Sequence, residues 1–542
     1  MSGSITLENR FGVNKMELIS LKYAIFVIVL LVLYYCFPKK YRWYVLLAGS
    51  MAYYVIICKW YVLFIIFTIC TTYGSTIWID KLLKEQNAIV KSHKEDWDRQ
   101  TRKEYKEKGR KKRVAVMLFA LLCNFGILAF LKYIPYAGEL GLLLPLGISF
   151  YTFQSMGYVM DVYREIVEPE KNFLKVALFV SFFPQIIQGP IAIYDKLAGQ
   201  LYEGHSLRLE NLQKGALLVL WGVMKKLVIA DRAVNIINFV MDKPMDFSGT
   251  YVFFAAVVYA LQLYADFSGG IDIVRGIAEM FGITMSTNFN HPYFSRSLTE
   301  YWHRWHMTLG DWCRNYIFYP LSISKRFLNF GKWLKPRFGA HISKVLPGCI
   351  ASVITFIVIG VWHGANMKYL YFGLWNGIVI MLAELFAPVN KKVAGGFFKL
   401  TGLREKGIFA TIVSVLWTFM LILVGYYFDI AENASTAFHM LFKSVTDFHI
   451  SELGINNIIL NLGACGLDEY DIFLLIICTL LWFFISFVEE NKKLDMRDFI
   501  LSRKLPLRWA IIYLGIFIVI IFGYYCLLYT SPSPRDLSTS RM

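Results

Sequence analysis

Two segments hold the residue types in this sequence that could move a proton. Residues 290–321 are far more polar than their surroundings and contain His306 among arginines and tryptophans. Residues 361–366, with the sequence VWHGAN, place His363 at the end of a long apolar run. Histidine titrates near neutral pH and can take the proton of a hydroxyl, and burial favours its neutral, proton-accepting form. We predict that the two segments bring His306 and His363 together inside the membrane.

Both segments also have structural explanations, which the residues alone leave open. The basic and aromatic side chains of 290–321 suit a helix at the interface with anionic lipid, or one that re-enters the membrane against other protein. Ser297 and Glu300 have the spacing of a capping box, so a helix is predicted that puts Trp302 and His306 on one face. A lone histidine at the end of a span is, on composition, more often a packing residue than a catalytic one.

Other kinds of site find less support in the sequence. His303 and His306 have zinc-like spacing, but no glutamate stands beside them and no third ligand is evident, so we predict no metal. The sequence contains no P-loop, dinucleotide-binding fingerprint or G-x-S-x-G nucleophile motif. Asp266 is an acidic residue in apolar surroundings and therefore a functional candidate. The glycines after it equally suit a turn with Asp266 capping the next helix, which is the interpretation we favour.

The composition of the chain predicts that these residues are carried by the helices of a membrane protein. Hydrophobic residues make up 57% of the 542 residues and charged residues only 18%, against about 25% charged in an ordinary soluble chain. The mean hydropathy is +0.48. A spanning helix needs roughly 20 apolar residues, and the sequence offers about ten to twelve such runs. The predicted fold is therefore all-α and polytopic, with about 10–12 transmembrane helices plus re-entrant or interfacial helices.

The distribution of charge predicts an orientation. The net charge of +17 indicates topology and contact with anionic lipid, and nucleic acid is not an expected partner. Residues 81–113 hold thirteen Lys/Arg against six Asp/Glu, so this basic loop is predicted to be cytoplasmic. It is interpreted as a solvated amphipathic helix, with a binding site for an acidic partner as the alternative. Counting back through three spans places the N-terminus outside.

The path of the chain suggests further features. Residues 144–154 and 183–190 combine proline, glycine and amide side chains within apolar runs, which fits either helices broken around a cavity or simple kinks. Residues 1–528 are predicted to form a single membrane domain. Residues 529–542 are Ser/Pro-rich and unable to bury a core, so we expect disorder, and a non-native tail also fits their abrupt change of composition.

Nearly the whole chain, from about residue 10 to residue 528, resembles the membrane-bound O-acyltransferase family, and most of all its bacterial alginate O-acetyltransferase branch. The segments that carry the resemblance are LPLGISFYTFQ at 144–154, FPQ at 183–185 with GP at 189–190, YADFSG at 264–269, EYWHRWH at 300–306 and WHGAN at 362–366. The resemblance implies helices that surround a central funnel or tunnel. It also implies that His363 is the principal catalytic histidine and His306 the second residue of the site.

The resemblance adds residues to the predicted site, and this sequence departs from the family pattern at two positions. Residues expected to line the site or bind substrate are Trp302, Arg304, Trp305, Asp311, Arg314, Trp362, Asn366, Gln185 and Asp266. His303 stands where relatives commonly have another residue, so it is given no role. Asn315 stands where an aspartate would be expected, which puts a role for that position in doubt.

The activity that the resemblance implies is transfer of an acyl group, acetyl as the first choice, from a cytosolic thioester to a hydroxyl. The donor would be acetyl-CoA, or alternatively an acyl carrier protein thioester, with no bound cofactor. The acceptor would be an extracytoplasmic polysaccharide, such as alginate or another exopolysaccharide, or an SGNH-hydrolase-like acetylation partner protein. His363 would take the hydroxyl proton while His306 orients the donor carbonyl or stabilises the oxyanion.

Two other functions stay open at this point. One is teichoic-acid D-alanyl transfer by a member of the same family, whose donor is a carrier protein. The other belongs to a different class, a non-catalytic transporter of glycan or lipid whose path is lined by the polar segment. In each case the expected location is the bacterial cytoplasmic membrane, with membrane lipid around the helices.

Overall fold

The computed structural model describes residues 18–134, 138, 140, 142, 144–401, 404, 407–454, 457–458 and 463–524. Helices make up most of this part of the chain, and no β-strand occurs within it. The prediction of an all-α fold is confirmed. The predictions for the N-terminus and for residues 529–542 lie outside the described residues.

Helices follow one another along the chain, many of them with short connections. In chain order the α-helices are α1 Leu21–Cys36, α2 Arg42–Cys58, α3 Val62–Ser92, α4 Arg99–Tyr133, α5 Ile148–Tyr163, α6 Phe173–Ser181, α7 Phe183–Gln188, α8 Tyr194–Tyr202, α9 Leu209–Val223, α10 Asp231–Met241, α11 Gly249–Met280, α12 Leu298–Arg304, α13 Met307–Cys313, α14 Tyr319–Ser322, α15 Lys325–His363, α16 Met367–Leu385, α17 Ala387–Thr401, α18 Ile408–Ile430, α19 Ala434–Thr446, α20 Glu469–Lys492, α21 Met496–Leu501 and α22 Leu505–Phe522. Two segments are π-helical, Met224–Ala230 and Arg314–Phe318. Short 3₁₀ turns lie at Lys39–Tyr41, Lys59–Tyr61, Pro292–Phe294, Ile450–Leu453 and Gly463–Cys465.

The chain is a multi-pass membrane protein. Seven helical stretches in the described part are long and apolar enough to cross a membrane, and an eighth arises if the bent pair α16 and α17 counts as one span. The seven are Lys39–Ser92, Arg99–Tyr133, Gly249–Met280, Lys325–His363, Ile408–Ile430, Glu469–Lys492 and Leu505–Phe522. This number is lower than the 10–12 predicted. The predicted runs 43–58 and 60–79 join into one helical stretch, and others form shorter helices such as α1 and the pair α6 and α7.

The described residues group into two compact units. The first unit comprises residues 1–219 and 272–286, and the second comprises 220–271 and 287–542. Within the first unit, α3 packs against α4 and α5, and α2 packs against α6. Within the second unit, α15 packs against α16, and α16 packs against α18. The single domain over residues 1–528 stays a prediction.

The basic segment 81–113 is helical over most of its length and is not a loop. α3 continues to Ser92, and α4 begins at Arg99 after Asp98, whose carboxylate accepts the backbone N–H groups of the first turn. Only residues 93–98 connect the two helices. The long charged side chains favour helix where they can reach water, so the apolar spans simply extend into basic ends.

In the first unit, the proline and glycine of the 144–190 region mark helix boundaries. Gly147 has φ +68° directly before α5, and a Cβ there would collide with the Ile186 carbonyl oxygen. Pro184 lies in the first turn of α7, where its missing N–H removes no helical bond. The buried amides of Gln154 and Gln185 hydrogen-bond to each other, and Gln154 Nε2 also donates to the Phe179 carbonyl at 2.6 Å. These residues stabilise the end-to-end packing of short helices.

Candidate active site

The polar segment 290–321 is broken into short helices, and His306 lies at a break. α12 begins after Ser297, whose hydroxyl accepts the Glu300 N–H at 3.1 Å, as the capping-box spacing predicts. The helix then ends two residues before His306, which has left-handed backbone angles of φ 44° and ψ 51°. The prediction that one continuous helix puts Trp302 and His306 on one face is therefore wrong.

Residues 288–290 stabilise this break in the helix, because they form hydrogen bonds with backbone groups that would otherwise bond within the helix. Asn290 N–H donates to the Arg304 carbonyl at 2.9 Å, and Met307 N–H donates to the Asn288 carbonyl at 2.9 Å. Sequence periodicity could not show this, because the partners come from a different segment. A non-glycine residue in the left-handed region costs on the order of 1 kcal/mol or more, and such strain is concentrated at functional sites.

His363 is the last residue of α15 and is followed by Gly364 in extended conformation. Its ring stacks on Tyr369 with ring centroids 6.0 Å apart and meets Phe372 edge-on at 5.4 Å. Both aromatic residues belong to α16, so the α15–α16 hairpin fixes the position of the imidazole. The two helices approach closely at Gly360, where a Cβ would collide with the Tyr369 carbonyl oxygen.

His306 and His363 line one cavity within the second unit, with a volume of about 30 Å³. Its wall is mainly aromatic and aliphatic. The predicted residues Trp302, Trp305 and Trp362 contribute to this wall. Sequence reasoning missed four polar or phenolic residues that also line it, which are Tyr301, Asn376, Tyr426 and Asp429. Two histidines from distant parts of the chain therefore face one enclosed, largely apolar space.

Asn288 fixes the tautomer of His306. The backbone N–H and the hydroxyl of Thr308 lie 3.1 and 2.9 Å from Asn288 Oδ1. Because a backbone N–H can only donate, the Asn288 atom there is the oxygen and not the nitrogen. His306 Nδ1 lies 3.2 Å from the same oxygen and must therefore carry a proton and donate it. In neutral His306 the lone pair is then on Nε2, a buried atom with no hydrogen-bond partner among the described residues.

Burial keeps His306 neutral. It lowers the pKa of His306 from its ordinary value near 6.5 to about 3, and the neighbouring His363 lowers that pKa further by charge repulsion. The edge of the Phe267 ring lies against the imidazole, with centroids 4.9 Å apart. Around neutral pH His306 thus presents an unprotonated nitrogen, which can accept a hydrogen bond or a proton and cannot donate one from Nε2.

Several donors around the cavity already bind protein acceptors. Trp302 Nε1 donates to Asn376 Oδ1 at 3.0 Å. The Tyr293 hydroxyl donates to the Ala260 carbonyl at 2.6 Å, so at its 3.2 Å contact with Tyr426 it acts as the acceptor. Tyr426 in turn accepts from Tyr301 at 2.7 Å. The phenolic protons therefore all point away from the cavity along this series of hydroxyls.

Three predicted site residues lie near His306 in sequence without lining the cavity. Arg304 pairs with Glu300 at 2.7 Å and with Glu490 at 3.0 Å. Asp311 and Arg314 pair with each other at 2.9 Å. These charges are therefore compensated within the protein and are not directed at the two histidines.

Two more predicted site residues also lie outside the cavity lining. Asn366 is the N-cap of α16 and accepts the Lys368 N–H at 3.1 Å, so it determines where that helix begins. Gln185 belongs to the first unit, where it bonds to Gln154. His303, to which no role is assigned, contacts Arg314 through Nδ1 at 2.8 Å.

Asp266 is not a helix cap, so the favoured interpretation of the sequence is wrong. It lies in the interior of α11, which continues through Gly269 without a turn. A Cβ at Gly269 would come 2.8 Å from the Gly222 carbonyl oxygen, so the glycine allows a close helix approach. The Asp266 carboxylate forms an ion pair with Lys226, which also lies 3.7 Å from Asp231. Asp266 does not line the cavity of His306.

The missed residues could be found only in part from sequence. Asn288 stands in the NFNHPY segment just before the polar region, so its amide was a visible candidate. Asp429 closes the apolar run of α18, where an acidic residue is as unusual as Asp266 in its run. The neighbouring sequence does not show that Asp266 forms an ion pair with Lys226 whereas Asp429 lines the cavity. Across the described residues no group of three or more His, Cys, Asp or Glu is placed to hold a metal ion.

Comparison with known proteins adds independent information on these segments. A model of the membrane-bound O-acyltransferase family matches residues 169–335, which include Asn288 and His306 and end before His363. A probable alginate O-acetylase of Pseudomonas fluorescens is 31% identical over 320 residues, covering 58% of this chain and 57% of the relative. A peptidoglycan O-acetyltransferase of Helicobacter pylori is 29% identical over 363 residues, covering 60% and 63%.

Transferases of a second kind match at lower identity. A teichoic acid D-alanyltransferase of Bacillus subtilis is 26% identical over 288 residues, covering 52% of this chain and 67% of the relative. The chain spans less than two thirds of the length of the acetylase relatives that it matches. The names of the acetylases and of the D-alanyltransferase all describe the transfer of an acyl group.

Proposed function

The chain belongs to the membrane-bound O-acyltransferase family, and from that premise we propose that it transfers an acyl group, acetyl in the first instance, from a thioester to a hydroxyl. The acceptor hydroxyl is on an extracytoplasmic polysaccharide or on a partner protein that passes the group on. The names of the alginate and peptidoglycan acetylase relatives support this choice. The proposed location is the bacterial cytoplasmic membrane, with the N-terminus outside and the donor, acetyl-CoA or a carrier-protein thioester, entering from the cytosol.

The proposed reaction forms a C–O and an S–H bond and breaks a C–S and an O–H bond. The acceptor oxygen attacks the thioester carbonyl carbon, a C–O bond forms, and the C–S bond breaks as the tetrahedral intermediate collapses. The hydroxyl proton passes to a histidine and from it to the leaving thiolate, so the products are an ester and a free thiol. His363 is proposed as this base, because general bases in the neutral range are most often histidines.

The geometry of His306 supports a role in holding the acceptor molecule. Its Nε2 lone pair faces the protein interior without a partner among the described residues, while Nδ1–H is bound to Asn288. A neutral imidazole in this tautomer can accept a hydrogen bond from a hydroxyl, but it offers no N–H to a developing oxyanion. The oxyanion role considered for His306 from the sequence therefore gains no support, and we propose that His306 orients the acceptor by binding a hydroxyl next to the attacking one, whose own proton passes to His363.

A single observation carries the proposed function. His306 and His363 line the same enclosed cavity, although 57 positions of sequence separate them (363 − 306 = 57). The aromatic wall excludes water, which favours acyl transfer to a bound hydroxyl over hydrolysis of the thioester. A packing histidine would have both ring nitrogens bonded to protein, whereas His306 has one nitrogen held and the other without a partner in the described structure.

The test is the ester content of secreted or envelope glycan in cells that carry His363→Ala. Loss of the base is expected to lower ester-linked acetate by at least about 100-fold, in keeping with the usual contribution of a general base. The matched control is His341→Ala, since His341 lies on the same helix α15 and is exposed. Both variants are compared at equal protein level. Undiminished acetylation in His363→Ala would remove the proposed role.

The D-alanyl alternative rests on the teichoic acid D-alanyltransferase relatives. It predicts that mild alkali releases D-alanine instead of acetate from the envelope of cells carrying the chain, and that His363→Ala abolishes this release. The transporter alternative predicts that glycan or lipid transport survives when His306 and His363 are both replaced by alanine. Measuring acetate, D-alanine and transport in the same strains therefore separates all three.

A further inference from the structure

Asp429 is the one acidic side chain that lines the cavity of His306 and His363 within the described residues. It lies in the last turn of α18, one residue before the helix ends at Ile430. Sequence analysis gave it no role. A carboxylate among aromatic residues is costly unless hydrogen-bonded or paired, so its surroundings indicate what it is for.

One oxygen of Asp429 is held in place by protein. The Tyr259 hydroxyl donates to Asp429 Oδ2 at 2.7 Å. The Tyr259 ring meets Tyr426 edge-on, with centroids 5.7 Å apart, so the donor is itself packed against the cavity wall. The other oxygen, Oδ1, takes no part in this bond, and the side chain lines the cavity. It is an acceptor that a ligand can use.

Lys368 sets the charge around Asp429. Its Nζ donates to the backbone carbonyls of Asp429 and Ala431, each at 2.7 Å. The ammonium is close enough to interact electrostatically with the Asp429 carboxylate. Because this positive charge is already in place, a second cation beside Asp429 would gain little. A neutral hydrogen-bond donor meets no such opposition.

The acceptors that line the cavity include Nε2 of His306 and the carboxylate of Asp429. The donors of Trp302, Tyr301 and Tyr426 bind protein acceptors. A ligand that satisfies the acceptors of His306 and Asp429 must bring at least two donors. A sugar, with neighbouring hydroxyls on one ring, has this chemistry, and its apolar ring faces suit the aromatic wall.

We propose that Asp429 binds a further hydroxyl of the acceptor, beside the one that His306 binds, and so sets which hydroxyl meets His363. This rests on the proposed function, since it places the acceptor of that reaction. Two hydroxyls anchored at two points fix the orientation of the ring, whereas one anchor leaves it free to rotate. The chemical class inferred for the acceptor is a neutral polyol face of a glycan.

The experiment compares Asp429→Leu and Asp429→Asn in cells that carry the full chain. The measurement is the rate at which alkali-labile acetate and D-alanine accumulate on envelope and secreted glycan after induction, at equal protein level. Leucine removes the acceptor, so a fall of roughly tenfold or more is expected; asparagine keeps a carbonyl acceptor, so a fall of about two- to threefold is expected. Asp246→Leu, at an exposed aspartate of the same unit, is the control and should match the parent.

Each outcome decides between specific alternatives. Equal and near-complete loss in both Asp429 variants, with D-alanine as the lost group, would mean that the carboxylate pairs with an ammonium, and the proposal would fall. Parent-level acetate in Asp429→Leu, together with loss in His363→Ala, would overturn the role of Asp429 and leave the proposed function standing. Parent-level acetate in both Asp429→Leu and His363→Ala would overturn the role of Asp429 and the proposed function together. Unchanged melting temperatures of the purified variants exclude misfolding as the cause of a loss.

Discussion

Two polar clusters in the second unit, one partly buried and one fully buried, are built in opposite ways. In the first, Lys226 pairs with Asp266 and lies near Asp231, so each charge meets an opposite charge. In the second, His306 is bonded on one side to Asn288, and its other ring nitrogen has no partner in the described structure. Both clusters interrupt apolar sequence, and both were candidates for function. Of these two, the second leaves a polar atom available to a ligand.

This contrast separates polar residues that stabilise a membrane protein from polar residues that take part in its chemistry. A compensated ion pair stabilises the packing of the segments that it joins, and removal of one partner exposes the other as an uncompensated charge. An uncompensated acceptor beside a cavity contributes nothing to stability, and its desolvation is even unfavourable. Such an atom is retained for what it binds. The two clusters should therefore respond differently to substitution.

The largest expected effect is on activity at the histidine cluster. His306→Ala should lower acyl transfer by about 100- to 1,000-fold, because the acceptor loses a hydrogen bond that orients its attacking hydroxyl. The melting temperature of the purified protein should stay within a few degrees of the parent. His303→Ala, in the same segment but on the exposed side, is the matched control and should keep near-parent activity. Equal losses in the two variants would contradict a specific role of His306.

The ion-pair cluster should show the reverse response. Asp266→Ala leaves Lys226 without its main counter-charge and should lower the free energy of unfolding by about 3 kcal/mol. Activity per folded molecule should be retained. The double variant Lys226→Met with Asp266→Leu should recover most of the stability, because both charges are gone. Asp311→Ala breaks a more exposed pair and should cost less than about 1 kcal/mol. A loss of activity without loss of stability in Asp266→Ala would assign it to the chemistry.

A smaller effect is expected from Asn288, which we regard as a positioning residue. Asn288→Asp replaces a neutral oxygen with a carboxylate beside Nδ1–H, which stabilises the charged imidazole and raises the pKa of His306. The neutral form is then lost as the pH falls through the raised pKa, so activity in Asn288→Asp should decline on the acid side where the parent is flat. Asn288→Ala should instead lower activity at every pH, by roughly tenfold. The pH–rate profiles distinguish this role from a purely structural one.

The smallest effect concerns stability against pH. The pKa of His306 is about 3 in the folded protein and about 6.5 in the unfolded chain. Between these values the unfolded chain binds more protons, so the stability contribution of His306 falls as the pH is lowered below about 6.5. The slope is at most about 1.4 kcal/mol per pH unit. His306→Phe should therefore lose less melting temperature between pH 7 and pH 5 than the parent, and His341→Phe should behave like the parent.

Much of the fold was predictable because it follows from local composition. Long apolar runs form helices in a membrane since every backbone group must be bonded within the segment. The position of His363 at the end of such a run, and the cap at Ser297, could be inferred directly. The number of spans could not, because hydropathy does not distinguish a span from a short buried helix such as α5.

The details of the site depended on contacts between distant segments. His306 leaves the helix because residues 288–290 compete for its backbone bonds, which periodicity cannot show. Asp266 and Asp429 both stand in apolar stretches of sequence. Asp266 pairs with Lys226, which lies 40 residues earlier in the chain, whereas Asp429 lines the cavity. The tautomer of His306 required the position of a single oxygen of Asn288.

The left-handed backbone of His306 allows the effect of its side chain to be measured separately from the effect of its backbone conformation. Glycine adopts this conformation without strain, so His306→Gly should relax the backbone while it deletes the ring. The gap left behind has the shape of an imidazole and keeps the Asn288 oxygen at one end. Added free imidazole could occupy it with the same tautomer and restore turnover in a concentration-dependent way. Rescue by this diffusible small molecule would show which properties of the protein depend on the imidazole ring and which depend on the backbone bend.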